Sequence, residues 1–357
     1  MRPALKPGLA TVWRNRDTVQ IGIDPRRAIA LTGMRGAGDL LRLLDGSRDR
    51  NQVLAVAADL GMDAGTADRV LRLLAEAGAL DDCAAGGSGT LPAGARARLA
   101  PELATASLAH RDADGGARIL ARRQAARVRV HGASRAGLWI AGMLTAAGVR
   151  LVMSTGGAVP RPGPAGSGRA EPAAPPSAGS PSAGSPPAGR PPAAGPPGTG
   201  RSAGGARGPR SRATRHPDLV VLADTHRREL PAALVRHGVP HLAVSAGEAI
   251  GVVGPLVLPG RSACLRCLDL TRAERDPAWP LILAQLAGRA NADPPACDTV
   301  LAATVAAQAA AQTLAFIDQG APATAVTNGT LELVLPGWQW RRRSWLPRPD
   351  CDCRHGG

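Results

Sequence analysis

The sequence predicts a two-part α/β protein: a doubly wound, Rossmann-like domain with a zinc clip, preceded by a small winged-helix-like α+β domain. Three observations carry this expectation. A glycine-rich turn, Gly132-Ala-Ser134-Arg-Ala-Gly137, joins an apolar strand to a helix. Strand-like and helix-like stretches alternate after it, as in sheets flanked by helices. Two close cysteine pairs, Cys264-Leu-Arg-Cys267 and Cys351-Asp-Cys353, stand in the middle and at the end of that region.

The 357 residues exceed one ordinary domain, but not all of them can build a core. From Val159 to Arg215 the chain is almost entirely Pro, Gly, Ala, Ser and Arg, which predicts a disordered linker over 159–215. The formal charge of +15 suggests nucleic acid until the arginines are placed. Arg161, Arg169, Arg190, Arg201, Arg207, Arg210, Arg212 and Arg215 sit in the linker against Glu171 alone, so about half of the excess charge is solvated there. With no Tyr and one Phe, a stacking surface for single strands is not expected, nor is a nucleic-acid partner. Met1 to Asn15 holds charge and proline without an apolar core, so no secretion signal or membrane anchor is expected and a cytoplasmic location is. The uncharged run Thr299 to Ile317 is mostly alanine with Gln308 and Gln312 on one face, which fits a buried core helix better than a membrane span.

In chain order, Leu9–Arg14, Thr18–Ile23 and Arg27–Thr32 are short β-branched or alternating segments, parted by turn signals at Arg16-Asp17 and Asp24-Pro25. Gly38–Leu44, Arg50–Leu60 and Ala64–Ala77 have helical spacing; in the last, Val70, Leu71, Leu74 and Ala77 share a face and Gly78 stops the helix. Three strands and three helices over residues 1–82 make the winged-helix-like unit. Such a unit leaves a strand edge open beside a helix, a geometry that captures extended peptides by strand addition. A winged helix that reads DNA, or that only packs on its neighbour, is the alternative. Residues 83–126 read as a Gly- and Ala-rich connector with helical character near 116–127.

The second domain, 127–353, opens with the strand Arg127–His131, the glycine turn, a helix over Leu138–Ala147 and a strand over Val149–Met153. A turn of this kind lets backbone approach a phosphate and aims a helix N-terminus at it, which makes Gly132, Ser134 and Gly137 candidate cofactor-binding residues. Ser134, however, stands where a glycine would leave room, and Ser154-Thr-Gly-Gly157 replaces the acidic residue expected after the second strand. After the linker, Asp218–Asp224 and Val239–Ser245 read as strands around a helix over Arg228–His237. Asp224 ends its strand where such sheets bind ligands, so it is a candidate Mg²⁺ or nucleotide ligand and a candidate catalytic group; a helix-capping role is the ordinary alternative. Cys297-Asp298 opens the alanine-rich helix, with Asp298 as its cap and Gly320 as its end. A cysteine at a helix N-terminus gains thiolate character, which makes Cys297 a candidate nucleophile, although a small buried residue is the commoner case.

A C-x-x-C pair can place both sulfurs on one ion, and tetrahedral zinc takes four ligands. Cys264, Cys267, Cys351 and Cys353 are therefore candidate ligands of one structural Zn²⁺ that staples the end of the chain to its middle. Two unrelated pairs are the alternative, and His355 is a possible substitute ligand beside the tight C-x-C pair.

With these residues in place, 127–353 resembles the ThiF/MoeB/HesA superfamily, the fold of ubiquitin-activating enzymes. The order of parts carries the resemblance: the Gly132–Gly137 turn, the strand ending at Asp224, the Val239–Ala246 strand, Gly254-Pro-Leu-Val-Leu-Pro-Gly260 and Cys264-x-x-Cys267 with the terminal cysteines. Ala263 to Trp279 is similar, more narrowly, to ThiF-like partner proteins of azole-forming peptide modification, in which a peptide-recognition winged helix comes first. The resemblance implies a precursor peptide and a YcaO-type cyclodehydratase as partners, and commonly a homodimer. Active members adenylate a C-terminal carboxylate with Mg²⁺ATP, so an active adenylyltransferase is the alternative function. Here Thr155 and Gly157 fall at the acidic pair, no lysine follows Lys6, and the surroundings of Asp224 are shifted by one residue. The resemblance thus implies the fold more than the chemistry, with ATP and Mg²⁺ binding in doubt.

Overall fold

The computed structural model describes residues 1–33, 36–85, 91–154, 217–224, 227–288, 297–319 and 325–354. At the N-terminus, β2 (Thr11–Asn15), β3 (Thr18–Ile21) and β4 (Ile29–Thr32) form an antiparallel meander with β3 in the centre. Helices α1 (Ala37–Leu43), α2 (Arg50–Asp59) and α3 (Ala64–Glu76) cover it. The core between them takes Val19, Ile21 and Leu31 from the strands and Leu40, Val53, Val70 and Leu74 from the helices. Caps fix the helix starts. Asp49 and Gln52 form a reciprocal capping box on α2, and Asp63 accepts from the Thr66 N–H on α3. The alternation of the sequence located all six elements, but not the short antiparallel pair β1 (Pro3–Leu5) and β5 (Leu80–Asp82) that closes the unit.

Residues 83–126 hold more structure than their composition announced. Helix α4 (Ala93–His110) carries Pro101 in its interior, and α5 (Ala117–Ala125) packs on it through Leu99, Leu103 and Leu120. The sequence signal near 116–127 corresponds to α5; α4 had none, because Ala, Gly and Pro blur its apolar spacing. Lys6, the only lysine, is buried and ties the N-terminal unit to α4, donating to the carbonyls of Ser107 (2.8 Å) and Asp112 (2.7 Å) beside Asp81. Arg123 of α5 is buried as well. Its guanidinium donates to both oxygens of Asp318, at 2.9 and 2.7 Å, and to Glu102 at 2.9 Å.

Among the described residues the main sheet has seven strands: β6 (Arg127–His131), β7 (Leu151–Ser154), β8 (Leu219–Ala223), β9 (His241–Gly247), β10 (Ile250–Val257), β11 (Gly329–Val334) and β12 (Gln339–Ser344). Their spatial order is β12-β11-β10-β9-β8-β6-β7. The pairs β7–β6, β6–β8 and β8–β9 are parallel, whereas β9 through β12 form an antiparallel meander. Alternation along the strands sorts the two faces. Val128, Val130, Leu219, Val221, Leu242 and Val244 point to one, under α6 (Arg135–Ala146) and α10 (Thr299–Gln319). Val220, Leu222 and Val257 point to the other, under α7 (Glu229–Arg236) and α8 (Leu265–Arg275), followed by α9 (Trp279–Gly288).

Among the described residues α10 is the helix long and apolar enough to cross a membrane. It packs on α6 and the sheet with Leu301, Val305, Ala306 and Ala309 buried, as the sequence led one to expect of a core helix. Asp298 caps it, accepting from the N–H groups of Val300 (2.8 Å) and Leu301 (2.9 Å). Gly320, expected as its stop, and the expected linker over 159–215 lie outside the described residues. Strand β12 went unread in the sequence because its Trp and Arg residues do not alternate with apolar ones.

Candidate metal centre and glycine-turn site

The backbone brings the four cysteines together from two directions. Strand β10 runs into a turn fixed by Ser262, whose hydroxyl accepts from the Leu258 N–H at 2.7 Å, and Cys264 then stands at the N-cap of α8 with Cys267 in its first turn. The C-terminal segment returns past Trp345, which is buried against the same cluster and donates its indole N–H to Thr330 at 3.0 Å. A short 3-10 turn, Asp352–Arg354, then presents Cys351 and Cys353. All four thiols are buried and their sulfurs lie within 4.8 Å of one another. The separations are 3.8 Å for Cys264–Cys267, 3.6 Å for Cys264–Cys351 and 3.5 Å for Cys267–Cys353. A tetrahedral ion with sulfur ligands at about 2.3 Å, as in zinc, sets its ligands about 3.8 Å apart, so the donor set and its spacing fit. His355, the possible substitute, lies outside the described residues.

The electrostatics point the same way. Cys267 is pulled down to about 4, first because the Cys264 thiol donates to it and then through other donors including the Arg348 N–H at 3.4 Å. Cys264, the donor of that pair, is pushed far up. Burial, and then the neighbouring thiols, push Cys353 up to about 12. The Cys267 thiolate thus disfavours ionisation of Cys264 and Cys353, and a divalent cation between the sulfurs would relieve that repulsion. A site closed by four protein donors leaves no position for substrate, so its chemistry is structural.

The glycine turn lies across the sheet. Gly132 has φ of 127° and packs so tightly that a Cβ there would collide with the carbonyl of Ala223 at the end of β8. A Cβ on Gly137 would come within 2.9 Å of the Gly132 carbonyl. Both glycines are therefore required to bring α6 against the strands. Ser134 is the N-cap of α6, and its hydroxyl accepts from the Gly137 N–H at 3.1 Å. One first-turn donor that a phosphate would use is thus already engaged. Arg135 points away along the helix start, donating to the Thr299 hydroxyl at 2.8 Å and the Cys297 carbonyl at 3.4 Å.

Asp224 follows β8 in the left-handed region, with φ of 53°. Its backbone N–H donates to Val244 at 2.8 Å, and its Oδ1 accepts from the Ala246 N–H at 2.7 Å, which locks the end of β8 to β9. The left-handed backbone at a non-glycine residue marks a position worth a functional hypothesis. Cys297 sits near enough to feel that charge: burial raises its thiol pKa above the usual range, Asp224 and Asp298 add to the rise, and Arg135 opposes it. The fold therefore gathers Gly132, Ser134, Gly137, Asp224 and Cys297 along the C-terminal edge of the parallel strands, with Cys297 held as a thiol. The positions of Thr155 and Gly157 lie outside the described residues. At the turn, the described donors do not fit a triphosphate: Ser134 fills the cap, Arg135 is turned to α10, and the sole lysine is buried elsewhere. Sequence reasoning missed Arg135, whose place directly after the serine was the available signal.

No sequence family and no curated protein matches the chain. Solved structures do share its fold. The heterocyclase TruD superposes with a TM-score of 0.58 at 17% identity, over 98% of this chain and 42% of that one. A heterocyclase in complex with substrate and cofactor gives 0.59 at 13%, over 99% and 39%. MccB of E. coli, solved with AMPCPP and MccA, gives 0.60 at 12%, over the whole of both chains. The chain thus spans less than half the length of the two heterocyclases, and at these identities the likeness is one of fold.

Proposed function

We propose that this chain is a zinc-stapled scaffold of the ThiF type that captures a ribosomally made precursor peptide on its N-terminal unit and presents it to a YcaO-type cyclodehydratase, with no nucleotide chemistry of its own. The unit is read as winged-helix-like. The observation that carries the proposal is the edge of that unit's sheet: among the described residues β4 pairs only with β3, which leaves its outer backbone groups open to a further strand. At the end of this edge a shallow cleft is lined by Ile21, Ile29, Ala79 and Leu108, with Arg27 and Arg111 beside it. One small apolar side chain of an added strand would reach this cleft of about 40 Å³, and carboxylates would meet the guanidinium groups. The heterocyclase solved with its substrate and MccB solved with MccA give this reading its context.

Its test is the affinity, measured by fluorescence anisotropy, of labelled candidate leader peptides that combine apolar residues with carboxylates. Charge reversal of both arginines, Arg27→Glu with Arg111→Glu, is expected to weaken binding at least about tenfold. Unchanged affinity in the double variant would overturn the reading.

One arrangement favours a second reading, an adenylyltransferase in which Asp224 holds Mg²⁺, the Gly132 turn meets phosphate and Cys297 accepts the activated acyl group. Asp224 stands at the strand end with Cys297 within reach of its charge. Pyrophosphate exchange that disappears in Asp224→Ala would establish it. Pairing of two copies rests on the family resemblance alone.

A further inference from the structure

We propose that the cavity beneath α9 binds a small organic acid, its carboxylate against Arg272 and its apolar stem among the surrounding leucines. The cavity lies on the metal-cluster face of the sheet, away from the glycine turn, under the C-terminal ends of β8 and β9. Its volume is about 180 Å³. An apolar cavity of about 150 Å³ accepts benzene, so a ring or a branched chain fits. The apolar lining comes from Leu222, Leu265, Leu268, Leu283 and Leu286. Four polar side chains converge on it: Arg228, Arg272, Ser245 and Thr330. A mostly apolar pocket with few convergent polar groups is the general form of a small-molecule site.

Partners separate these four. Arg228 is satisfied by Asp269, to which it donates at 2.7 and 3.2 Å. The Trp279 indole donates to that same carboxylate at 3.1 Å, so both of its oxygens are already engaged. Arg272 comes no nearer to it than 3.7 Å and makes no hydrogen bond among the described residues. The Thr330 hydroxyl donates to Glu332 and accepts from Trp345. The hydroxyl of Ser245, like the Arg272 guanidinium, has no hydrogen-bond partner among the described residues. Two donors therefore remain in the cavity wall.

Arg272 is nonetheless held in place. Its guanidinium stacks 4.8 Å from the centre of the Trp279 ring and 5.3 Å from that of Trp345, and 32% of its side chain is exposed. Stacking fixes the plane of a guanidinium and leaves its N–H edge available for a bidentate carboxylate. The charges that face it leave an excess of one cation: Arg228, Arg272 and Arg343 against Asp269 and Glu332. Burial, partly offset by Asp269, draws its basicity below the usual range. An anion with an apolar stem complements both the charge and the walls.

The probe is phenylacetate, titrated into the full-length protein and followed by saturation-transfer NMR and tryptophan fluorescence, with phenylacetamide as the neutral twin. The acid is expected to bind saturably and at least about tenfold more tightly than the amide. Arg272→Gln should remove that preference while the amide is unaffected. If that variant does not fold, Leu283→Phe, which fills the cavity from a partly exposed helix, should abolish binding of the acid. Acid and amide binding alike, acid binding that survives whichever variant folds, or no saturable binding of the acid would each overturn the proposal.

Discussion

The two sites on opposite faces of the sheet are built from similar local pieces, a strand feeding a turn and a helix N-terminus, yet they end differently. At α8 the helix start presents Cys264 and Cys267, and the distant C-terminal segment arrives with two further donors, completing a four-sulfur set. At α6 the helix start is capped by its own Ser134, and Arg135 is turned to a neighbouring helix. The first leaves a charge problem that a cation solves. The second has engaged its donors internally and has less to offer an anion. A strand-turn-helix corner becomes a binding site only when its polar groups lack local partners, which the glycine pattern alone does not reveal.

Four measurements bear on this contrast. The largest effect is expected on the metal face: stripping the metal with a chelator, or Cys267→Ser, should cost several kcal/mol and lower the melting temperature by about 10 °C or more. Elemental analysis alongside thermal denaturation checks it, with one metal per chain expected in the untreated protein.

Next, on the turn face, Gly132→Ala should destabilise by about 2–4 kcal/mol in urea unfolding, because it adds a Cβ at a left-handed position against the Ala223 carbonyl. Packing, not phosphate, is then what that glycine serves.

His241, fully buried at the start of β9, sharpens the metal face further. Burial lowers its pKa to about 4, against the partial opposition of its contact with the Val239 carbonyl. The unfolded chain therefore takes up the proton first. Stability should be full above about pH 6.5 and fall by about 3 kcal/mol as the pH drops to about 4. His241→Gln should flatten that slope relative to wild type, which urea unfolding across the range would record.

The smallest effect is at the cap. Ser134→Ala should cost about 1 kcal/mol and Ser134→Gly a few tenths. Differential scanning calorimetry resolves the two.

The sequence disclosed the elements with strong periodicity and clear stops. In α3, Val70, Leu71 and Leu74 on one face and Gly78 as the stop made the helix legible. The four cysteines were legible because ligand spacing is a covalent property of the chain, and the structure brings together all four. Helix α4 and strand β12 were not, since one is rich in Ala around Pro101 and the other hides its register behind arginines. At the turn, the glycines could be read but not their partners. Whether Ser134 faces a ligand or its own helix depends on a hydrogen bond three residues along, and Cys297 joins Asp224 only through tertiary folding.

The proposed scaffold role requires a metal staple and no working nucleotide site. Calorimetric titration of Mg²⁺ATP into metal-replete protein decides it. No detectable heat of binding is expected on a folded sample. Micromolar binding that is lost in Asp224→Ala would contradict it.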